Sequence, residues 1–242
     1  MISPRLAKII QYLPDGAVRF LAKKALNMYI NKYANMHIEG YENLKNINKP
    51  IIFISNHLSN SDGPVLNKIL YKEDVTFVAG VKLYSNATTN FGNYVVKTTP
   101  LKPNTADKEG ITKIVKILKG GGNILMFPEG TRSRTASMLE ARKGILLIER
   151  LTGAAIVPIG IYGTEKFLPI NSNDDMAAEK FQAADVYVKF GKPIEIPHKT
   201  KEEPKEEYET RTMNMVMGNI AVLLPEKYRG VYSSVAADLE SN

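Results

Sequence analysis

From residue 50 onward, short apolar runs alternate along the chain with longer segments in which apolar residues recur at helical spacing. The apolar runs fit buried strands; they lie at 50–55, 75–79, 123–127, 155–161 and 185–190. The segments between them predict helices near 64–72, 106–119, 138–151 and 174–183. Buried strands that alternate with helices predict an α/β fold, with a mixed, largely parallel central sheet flanked by helices.

The first 36 residues have a pattern of their own. Apolar residues recur at helical spacing on both sides of the sequence PDG (14–16), which favours a turn. The segment carries six bases and a single acid, Asp15. We therefore predict an amphipathic two-helix segment over 1–36, followed by an α/β domain over 37–242 that ends in a C-terminal helix.

Two interpretations of the N-terminal segment stay open. A helical hairpin can pack its apolar side on the main domain and keep its lysines in water, as ordinary surface helices do. It can also lie in a membrane interface, with its apolar face in the acyl boundary and its bases against anionic headgroups. One helix can do both.

Charge and composition narrow the classes of partner. The 242-residue chain has a formal net charge of +7, which favours anionic partners such as nucleic acid, membrane surfaces or phosphorylated substrates. The bases show no aromatic-interleaved strand pattern and no known reading motif, so we expect no nucleic-acid binding. No run of about 18 apolar residues occurs, so we expect no transmembrane helix.

Metal chemistry is also disfavoured. The chain has no cysteine and three scattered histidines, which cannot build a thiolate- or imidazole-rich site. An oxygen-only site is left open by this reasoning, but we predict no metal and no resident cofactor.

The first candidate for chemistry follows the apolar run PIIFIS (50–55), where the chain reads NHLSNSD (56–62). His57 and Asp62 lie five positions apart, and a helix would place them on different sides. Turn-forming residues between them allow the two side chains to meet. A carboxylate that holds one ring nitrogen prepares a histidine for general-base work. Alternatively, Asp62 is only a helix cap and His57 an ordinary loop residue.

The second candidate follows the apolar run at 123–127, where the chain reads PEGTRSRT (128–135). Gly130 allows close approach of the backbone, and Arg132 offers a planar fork suited to phosphate. Taken alone, this stretch could be an exposed turn. Ligand sites in open α/β sheets lie beyond the carboxyl ends of strands, and two polar loops at strand ends therefore predict one site.

Together, these two motifs resemble sequence blocks of a known enzyme family. NHLSNSD fits the His-x-x-x-x-Asp block of the glycerolipid acyltransferases, and FPEGTRSR (127–134) fits their Phe-Pro-Glu-Gly-Thr-Arg-Ser block. GVKLY (80–84) and IVPIGI (156–161) are similar to two further blocks. The chain looks like a lysophosphatidate (1-acyl-glycerol-3-phosphate) acyltransferase of that family, over roughly residues 35–200.

The resemblance implies transfer of a fatty acyl group from a thioester, on acyl carrier protein or coenzyme A, to a hydroxyl of a lysophospholipid. It implies that His57 takes the hydroxyl proton and that Asp62 orients His57. It places the acceptor beside six residues: Lys82, Lys102, Glu129, Gly130, Thr131 and Arg132. Because acceptor and product are membrane lipids, we expect peripheral or monotopic association with an anionic membrane surface on its cytoplasmic face.

One departure from the family pattern concerns the acceptor's phosphate. The family usually has an arginine after its second block, but the corresponding stretch here reads VVKTTPLKPN (95–104), with Lys102 the nearest base. A lysine attracts phosphate as a point charge without a bidentate fork. Other acceptors, such as glycerol 3-phosphate or a lyso-aminolipid, and a non-catalytic lipid-binding module are therefore the alternatives.

Overall fold

The computed structural model describes residues 14–47, 50–80, 95–102, 105, 107–171 and 179–241. Its helices are α1 (Asp15–Tyr33), α2 (Asp62–Ile69), α3 (Lys108–Lys119), α4 (Gly144–Thr152), α5 (Thr164–Phe167), α6 (Lys205–Ala221) and α7 (Ser233–Ser241). Its strands are β1 (Ala34–Glu39), β2 (Ile51–Ser55), β3 (Val75–Gly80), β4 (Thr98–Leu101), β5 (Asn123–Met126), β6 (Ala155–Tyr162) and β7 (Ala184–Phe190).

The strands form one seven-stranded sheet in the order β1-β7-β6-β2-β5-β3-β4. Every neighbouring pair is parallel except β6 and β7, so β1 and β7 run opposite to the other five strands. This confirms the predicted mixed, largely parallel sheet flanked by helices. The carboxyl ends of β2, β5 and β6 therefore meet at one edge of the sheet, where the two polar loops leave it.

Both faces of the sheet are buried at its centre. Along β2, Ile52 and Ile54 belong to the core on the side of α3, α4 and α6, whereas Ile51 and Phe53 belong to the core on the side of α1 and α2. The alternation follows from the two-residue period of a strand. Burial on both sides explains why β2 reads as a continuous apolar run.

Local signals set the helix ends. The side chain of Asp107 caps α3 by accepting a hydrogen bond from the Gly110 N–H at 3.0 Å. α4 ends at Gly153, whose φ of 63° lies in the left-handed region that glycine tolerates. α4 also begins later than the predicted 138–151, because residues 138–143 continue the loop that follows β5.

Two strands and one helix differ from the predictions. β1 and β4 were not predicted: they are the edge strands, they are only partly buried, and β4 contains Pro100. A helix was predicted over 174–183, but residues 179–183 form no helix, and 172–178 lie outside the described residues. Edge strands lack the two buried faces that make a central strand recognisable.

The N-terminal segment is described only from residue 14. Residues 1–13, which hold the first predicted helix, lie outside the described residues, so the two-helix segment stays a prediction. The second helix is α1, and the predicted boundary at residue 36 lies inside β1. No helix in the described part of the chain is long and apolar enough to cross a bilayer.

α1 has two apolar faces. Ala22, Leu26 and Ile30 are buried against the sheet side of the domain. Phe20 and Met28 lie in solvent, with 66% and 62% of their surfaces exposed. Packing on the domain therefore accounts for only part of the apolar surface of this helix.

Candidate active site

His57 and Asp62 meet at the carboxyl end of β2. The residues between them turn the chain back, so that His57 Nδ1 lies 2.8 Å from Asp62 Oδ2. The same oxygen accepts hydrogen bonds from the backbone N–H groups of Leu58 and Ser59, at 2.7 and 2.8 Å. Asp62 therefore orders the loop and holds the imidazole at once.

The protonation pattern of the pair follows from its geometry. The carboxylate accepts, so Nδ1 carries the proton and the other ring nitrogen, Nε2, is left with a lone pair. The side chain of Asp62 is fully buried, and that of His57 is 20% exposed. A buried carboxylate that holds one nitrogen of an accessible imidazole is an arrangement suited to general-base chemistry.

The ring of His57 is fixed by stacking as well as by hydrogen bonding. It lies on Phe127, the residue after β5, with ring centroids 4.1 Å apart and planes 15° apart. Phe127 thus sets the tilt of the imidazole, and Asp62 sets its rotation. Both contacts constrain the ring of His57.

Glu129 connects the two loops through their backbones. Its Oε1 accepts a hydrogen bond from the His57 N–H at 2.9 Å, and its Oε2 accepts one from the Leu139 N–H at 2.8 Å. Burial raises the pKa of Glu129 to about 7, although these two hydrogen bonds oppose the rise. Glu129 is 2% exposed, so its role here is to hold the loops in place.

Asn56 fixes the start of the His57 loop. Its side-chain amide bonds both backbone groups of Ile161 on β6: Nδ2 donates to the carbonyl oxygen at 2.8 Å, and Oδ1 accepts from the N–H at 2.9 Å. The Ser133 N–H also donates to the His57 carbonyl oxygen at 2.8 Å. The loop that carries His57 is therefore tied to the end of β6 and to the loop that follows β5.

Arg132 lies in an ion pair rather than in open solvent. Its Nη1 lies 3.1 Å from Oε1 of Glu179, and the two side chains are only 16% and 2% exposed. The second oxygen of Glu179 accepts from Asn60 Nδ2 at 2.8 Å. The guanidinium is thereby held close to the loop that carries His57.

A cavity of about 410 Å³ opens between these loops and α1. His57, Asn60, Thr131 and Glu179 line its polar part. Its apolar part is lined by Leu26, Ile30, Phe77, Phe167 and Phe181, among others. The cavity can accept a long apolar group whose polar end lies against His57.

Gly130 lies at the wall of this cavity in the left-handed region, with a φ of 72°. A Cβ atom at this position would lie 2.7 Å from Nε of Arg142. The turn therefore favours glycine for its backbone conformation, and any larger residue would also have to displace the Arg142 side chain.

The family model named Acyltransferase matches residues 35–162. This chain belongs to the acyltransferase family. The matched region runs from β1 to the end of β6 and includes both polar loops.

Two curated relatives of this chain are chloroplastic 1-acyl-sn-glycerol-3-phosphate acyltransferases. The relative from Arabidopsis thaliana is 28% identical over 155 residues, covering 63% of this chain and 43% of the relative. The relative from Brassica napus is 27% identical over 177 residues, covering 72% and 49%. The chain thus spans about half the length of the curated relatives it matches.

A solved structure shares the fold. The 1-acyl-sn-glycerophosphate acyltransferase PlsC from Thermotoga maritima superposes with a TM-score of 0.59 and 21% identity. The match covers 85% of this chain and 80% of that one. It therefore supports the mixed α/β sheet described above.

The structure brings most of the predicted site residues together, but not all of them. His57, Gly130 and Thr131 line the cavity, and Asp62, Glu129 and Arg132 contact them or their loops. Lys82 lies outside the described residues.

Lys102 lies apart from this group. It follows β4, it is exposed, and it does not line the cavity. Its N–H donates to Oδ2 of Asp107 at 2.8 Å, so its backbone belongs to the cap of α3. β4 is separated from β5 by β3, which puts about 10 Å between the two strands.

Sequence reasoning missed three residues that build the site: Asn56, Phe127 and Glu179. The first two lie inside the quoted motifs, next to residues that were singled out, so their positions beside strand ends were a usable signal. Glu179 lies in a stretch predicted as helix, and nothing in the sequence pattern linked it to Arg132.

Proposed function

We propose that this protein transfers a fatty acyl group from an acyl thioester to the free hydroxyl of a lysophospholipid, converting lysophosphatidate to phosphatidate. The observation that carries the proposal is the His57–Asp62 pair at the wall of an apolar cavity. Family membership and the names of the two plant relatives support the same chemistry.

The reaction needs one proton acceptor and no covalent enzyme intermediate. The acceptor hydroxyl attacks the thioester carbonyl carbon, and Nε2 of His57 removes the hydroxyl proton as the new C–O bond forms. Asp62 stabilises the imidazolium through Nδ1–H. The tetrahedral intermediate then expels the thiolate, which takes the proton from His57, so the ester forms, the thioester breaks and the base is restored. No cofactor is required for this direct transfer.

We assign the acceptor's phosphate to Arg132. Its planar guanidinium suits a phosphate, and Glu179 holds it beside the His57 loop. A phosphate there places the rest of the acceptor between Arg132 and the base. Both acyl carrier protein and coenzyme A thioesters are compatible donors for this arrangement.

We further propose that α1 docks the domain on an anionic bilayer from its cytoplasmic face. The helix exposes Phe20, Leu21 and Met28, and the same helix carries the exposed bases Lys24 and Lys32. Exposed apolar residues flanked by bases suit a membrane interface, where each base near an anionic surface contributes about 1 kcal/mol. The opposite face of α1 lines the cavity, so docking would bring the cavity close to the lipid.

The deciding experiment incubates the purified full-length protein with a panel of lysolipids, with acyl carrier protein and coenzyme A thioesters in separate arms. Thiol release and product mass report transfer. We expect turnover with lysophosphatidate that depends on His57. A folded protein that binds anionic vesicles but releases no thiol with either donor would instead be a lipid-binding module.

A matched pair of variants tests the docking. Phe20→Ser with Met28→Ser removes exposed apolar surface, whereas Val231→Ser changes an exposed apolar residue far along the chain from α1. We expect only the first variant to lose vesicle sedimentation and activity on vesicle-presented lysolipid. Equal binding by both variants would contradict docking through α1.

A further inference from the structure

Glu179 joins the two loops of the site through its carboxylate. Oε1 pairs with Nη1 of Arg132 at 3.1 Å, and Oε2 accepts from Nδ2 of Asn60 at 2.8 Å. The Glu179 side chain is 2% exposed. A charge so far from water is retained only where its partners satisfy it. An internal anion therefore lies beside the guanidinium that we assign to the acceptor's phosphate.

The carboxylate of Glu179 satisfies both of these partners at once. The guanidinium of Arg132 and the Nδ2 group of Asn60 are both donors, and together they require two acceptor oxygens. A glutamine at 179 would offer one oxygen to Arg132 and would turn its own N–H₂ group toward Asn60, whose side-chain amide would have to reverse so that its oxygen accepts. The carboxylate keeps both partners bonded without that rearrangement, and it alone supplies the negative charge that pairs with Arg132.

Glu179 is itself held in place by the residues that follow it. The Gln182 N–H donates to the Phe167 carbonyl oxygen at 2.9 Å. The ring of Phe181 lies 5.0 Å from that of Phe167 and 5.4 Å from that of Tyr29 on α1. Residues 179–182 therefore form a strap along one side of the cavity, and Glu179 connects this strap to the site.

Resting on the function proposed above, we propose that Glu179 is a positioning residue, which fixes Arg132 relative to His57 and thereby selects the acceptor. A fixed guanidinium holds the phosphate at one distance from the base. In lysophosphatidate the free hydroxyl is on the carbon next to the one that carries the phosphate. In glycerol 3-phosphate the terminal hydroxyl is one carbon farther away. The bridge from Asn60 through Glu179 to Arg132 favours the shorter of these separations, which is that of lysophosphatidate.

The charge of Glu179 makes its contribution different from that of Arg132. The carboxylate repels a bound phosphate, so Glu179 does not strengthen acceptor binding directly. Its removal relieves that repulsion and frees Arg132 to move. Since a misplacement of about 1 Å can cost on the order of 10² in rate, we expect Glu179→Gln to lower kcat about ten- to a hundred-fold without raising the acceptor KM.

The test compares kcat and acceptor KM for lysophosphatidate and for glycerol 3-phosphate in three variants. Glu179→Gln should lower kcat and the preference for lysophosphatidate. Arg132→Ala should mainly weaken acceptor use, by about ten- to a hundred-fold in kcat/KM, since it loses a charge-assisted phosphate contact. Glu202→Gln removes the same charge at an exposed position and should match the wild type.

A double variant separates positioning from a general loss of structure. In Asn60→Asp with Glu179→Gln, the glutamine oxygen can accept from Arg132 while its N–H₂ group donates to the new carboxylate at 60. The bridge is rebuilt with its negative charge on residue 60 instead of residue 179. We therefore expect kcat to recover at least tenfold relative to Glu179→Gln alone. Recovery would show that the bridge matters rather than the residue at 179.

Three outcomes would overturn the inference. One is a folded Glu179→Gln protein with unchanged kcat and unchanged acceptor preference. Another is a rise in acceptor KM at constant kcat, which would make Glu179 a binding residue. The third is a double variant no better than the single one. An inactive wild type would overturn the proposed function and this inference together. An active wild type whose kcat and acceptor preference are unchanged by Glu179→Gln would overturn this inference alone.

Should Glu179→Gln fail to fold, Asn60→Ala tests the bridge from its other end. This variant leaves the ion pair with Arg132 intact and removes only the second anchor of Glu179. A fall in kcat of about tenfold at constant acceptor KM supports the bridge, since a small displacement of the phosphate is enough. An unchanged kcat contradicts it.

Discussion

In the described part of the chain, His57 and His37 each bond an aspartate, at nearly the same distance and in very different surroundings. His57 Nδ1 lies 2.8 Å from Asp62, and His37 Nε2 lies 2.9 Å from Asp185. The first pair lies at the carboxyl ends of parallel strands, and the second crosses the β1–β7 edge of the sheet. Both histidines also stack on an aromatic ring, Phe127 and Tyr187 respectively.

The surroundings of the two carboxylates explain why only one pair suits catalysis. The Asp62 side chain is fully buried and is fixed by two backbone N–H groups besides the imidazole. The Asp185 side chain is 57% exposed, and the other partner of its Oδ1 is Asn35, at 2.7 Å. Water competes for the exposed pair and weakens it. A His–Asp hydrogen bond therefore does not by itself indicate a catalytic pair; the fixed, buried carboxylate and the adjacent cavity are what suit the first pair to general-base chemistry.

The largest expected difference between the pairs is in activity. His57→Ala should lower kcat about 10²- to 10⁴-fold, the usual range for loss of a general base. His37→Ala should leave kcat within about twofold, since that residue contacts no part of the cavity. Steady-state thiol-release rates check this, with circular dichroism as the control for folding. Near-normal kcat in a folded His57→Ala protein would rule out His57 as the base.

Replacing Asp62 should also lower kcat more than replacing Asp185 does, but by a smaller factor than the histidine substitutions. Asp62→Asn should lower kcat on the order of 10²-fold, because an amide can donate to Nδ1 and so support the wrong imidazole tautomer. Asp185→Asn is the matched change at the exposed pair and should have no effect on kcat. The pH–rate profiles of both variants check the tautomer argument. A fully active Asp62→Asn enzyme would show that Asp62 only orders the loop.

The contrast also explains what the sequence could predict. β2 and β5 were predicted correctly because burial on both faces leaves a continuous apolar run, and the polar loops that follow them were visible by contrast. β1, which carries His37, was not predicted because its residues are only partly buried. The strongest sequence signals come from the parts of the chain with the most complete burial.

Contacts distant along the sequence could not be predicted in the same way. The pairing of Arg132 with Glu179 depends on where the strap after α5 returns to the site, and no local pattern records that. Lys102 was chosen because a base was expected in that stretch. Its backbone belongs to the cap of α3, and its role toward the acceptor stays a prediction.

The surroundings of His57 and of His37 also differ in the direction in which their contributions to stability change with pH. Burial raises the pKa of Glu129, which bonds the His57 N–H, from 4.5 to about 7. The hydrogen bonds from His37 and Asn35 hold the pKa of Asp185 below its ordinary value. A raised carboxyl pKa means that the folded state binds the proton more tightly. Its contribution to stability is therefore complete below about pH 4.5 and is lost as the pH rises through 7.

We accordingly expect the free energy of unfolding to fall between pH 5 and pH 8 by at most about 3 kcal/mol from Glu129. Glu129→Gln should flatten that slope, because the titrating group is gone. It should also be less stable at pH 5, because an amide supplies one acceptor for two backbone donors. Denaturant unfolding at several pH values measures both. An identical slope in Glu129→Gln and in the wild type would contradict the assignment.

The smallest expected effect is on stability at the exposed pair. His37→Ala removes a hydrogen bond to Asp185 that is open to water, which is an ion pair only when the imidazole is protonated, and a stacked contact with Tyr187, whose ring centroid lies 4.4 Å away. Exposed ion pairs contribute about 0–1 kcal/mol, and cross-strand aromatic pairs roughly 0.2–1 kcal/mol. We therefore expect a loss of no more than about 1.5 kcal/mol in the free energy of unfolding, with a double-mutant cycle against Asp185→Ala separating the ion pair from the stacking. High salt should reduce the coupling between His37 and Asp185, because screening acts on exposed charges. A coupling well above 1 kcal/mol that salt leaves unchanged would mean that solvent exposure does not distinguish the two pairs, and that the burial of Asp62 is not what suits the His57 pair to general-base chemistry.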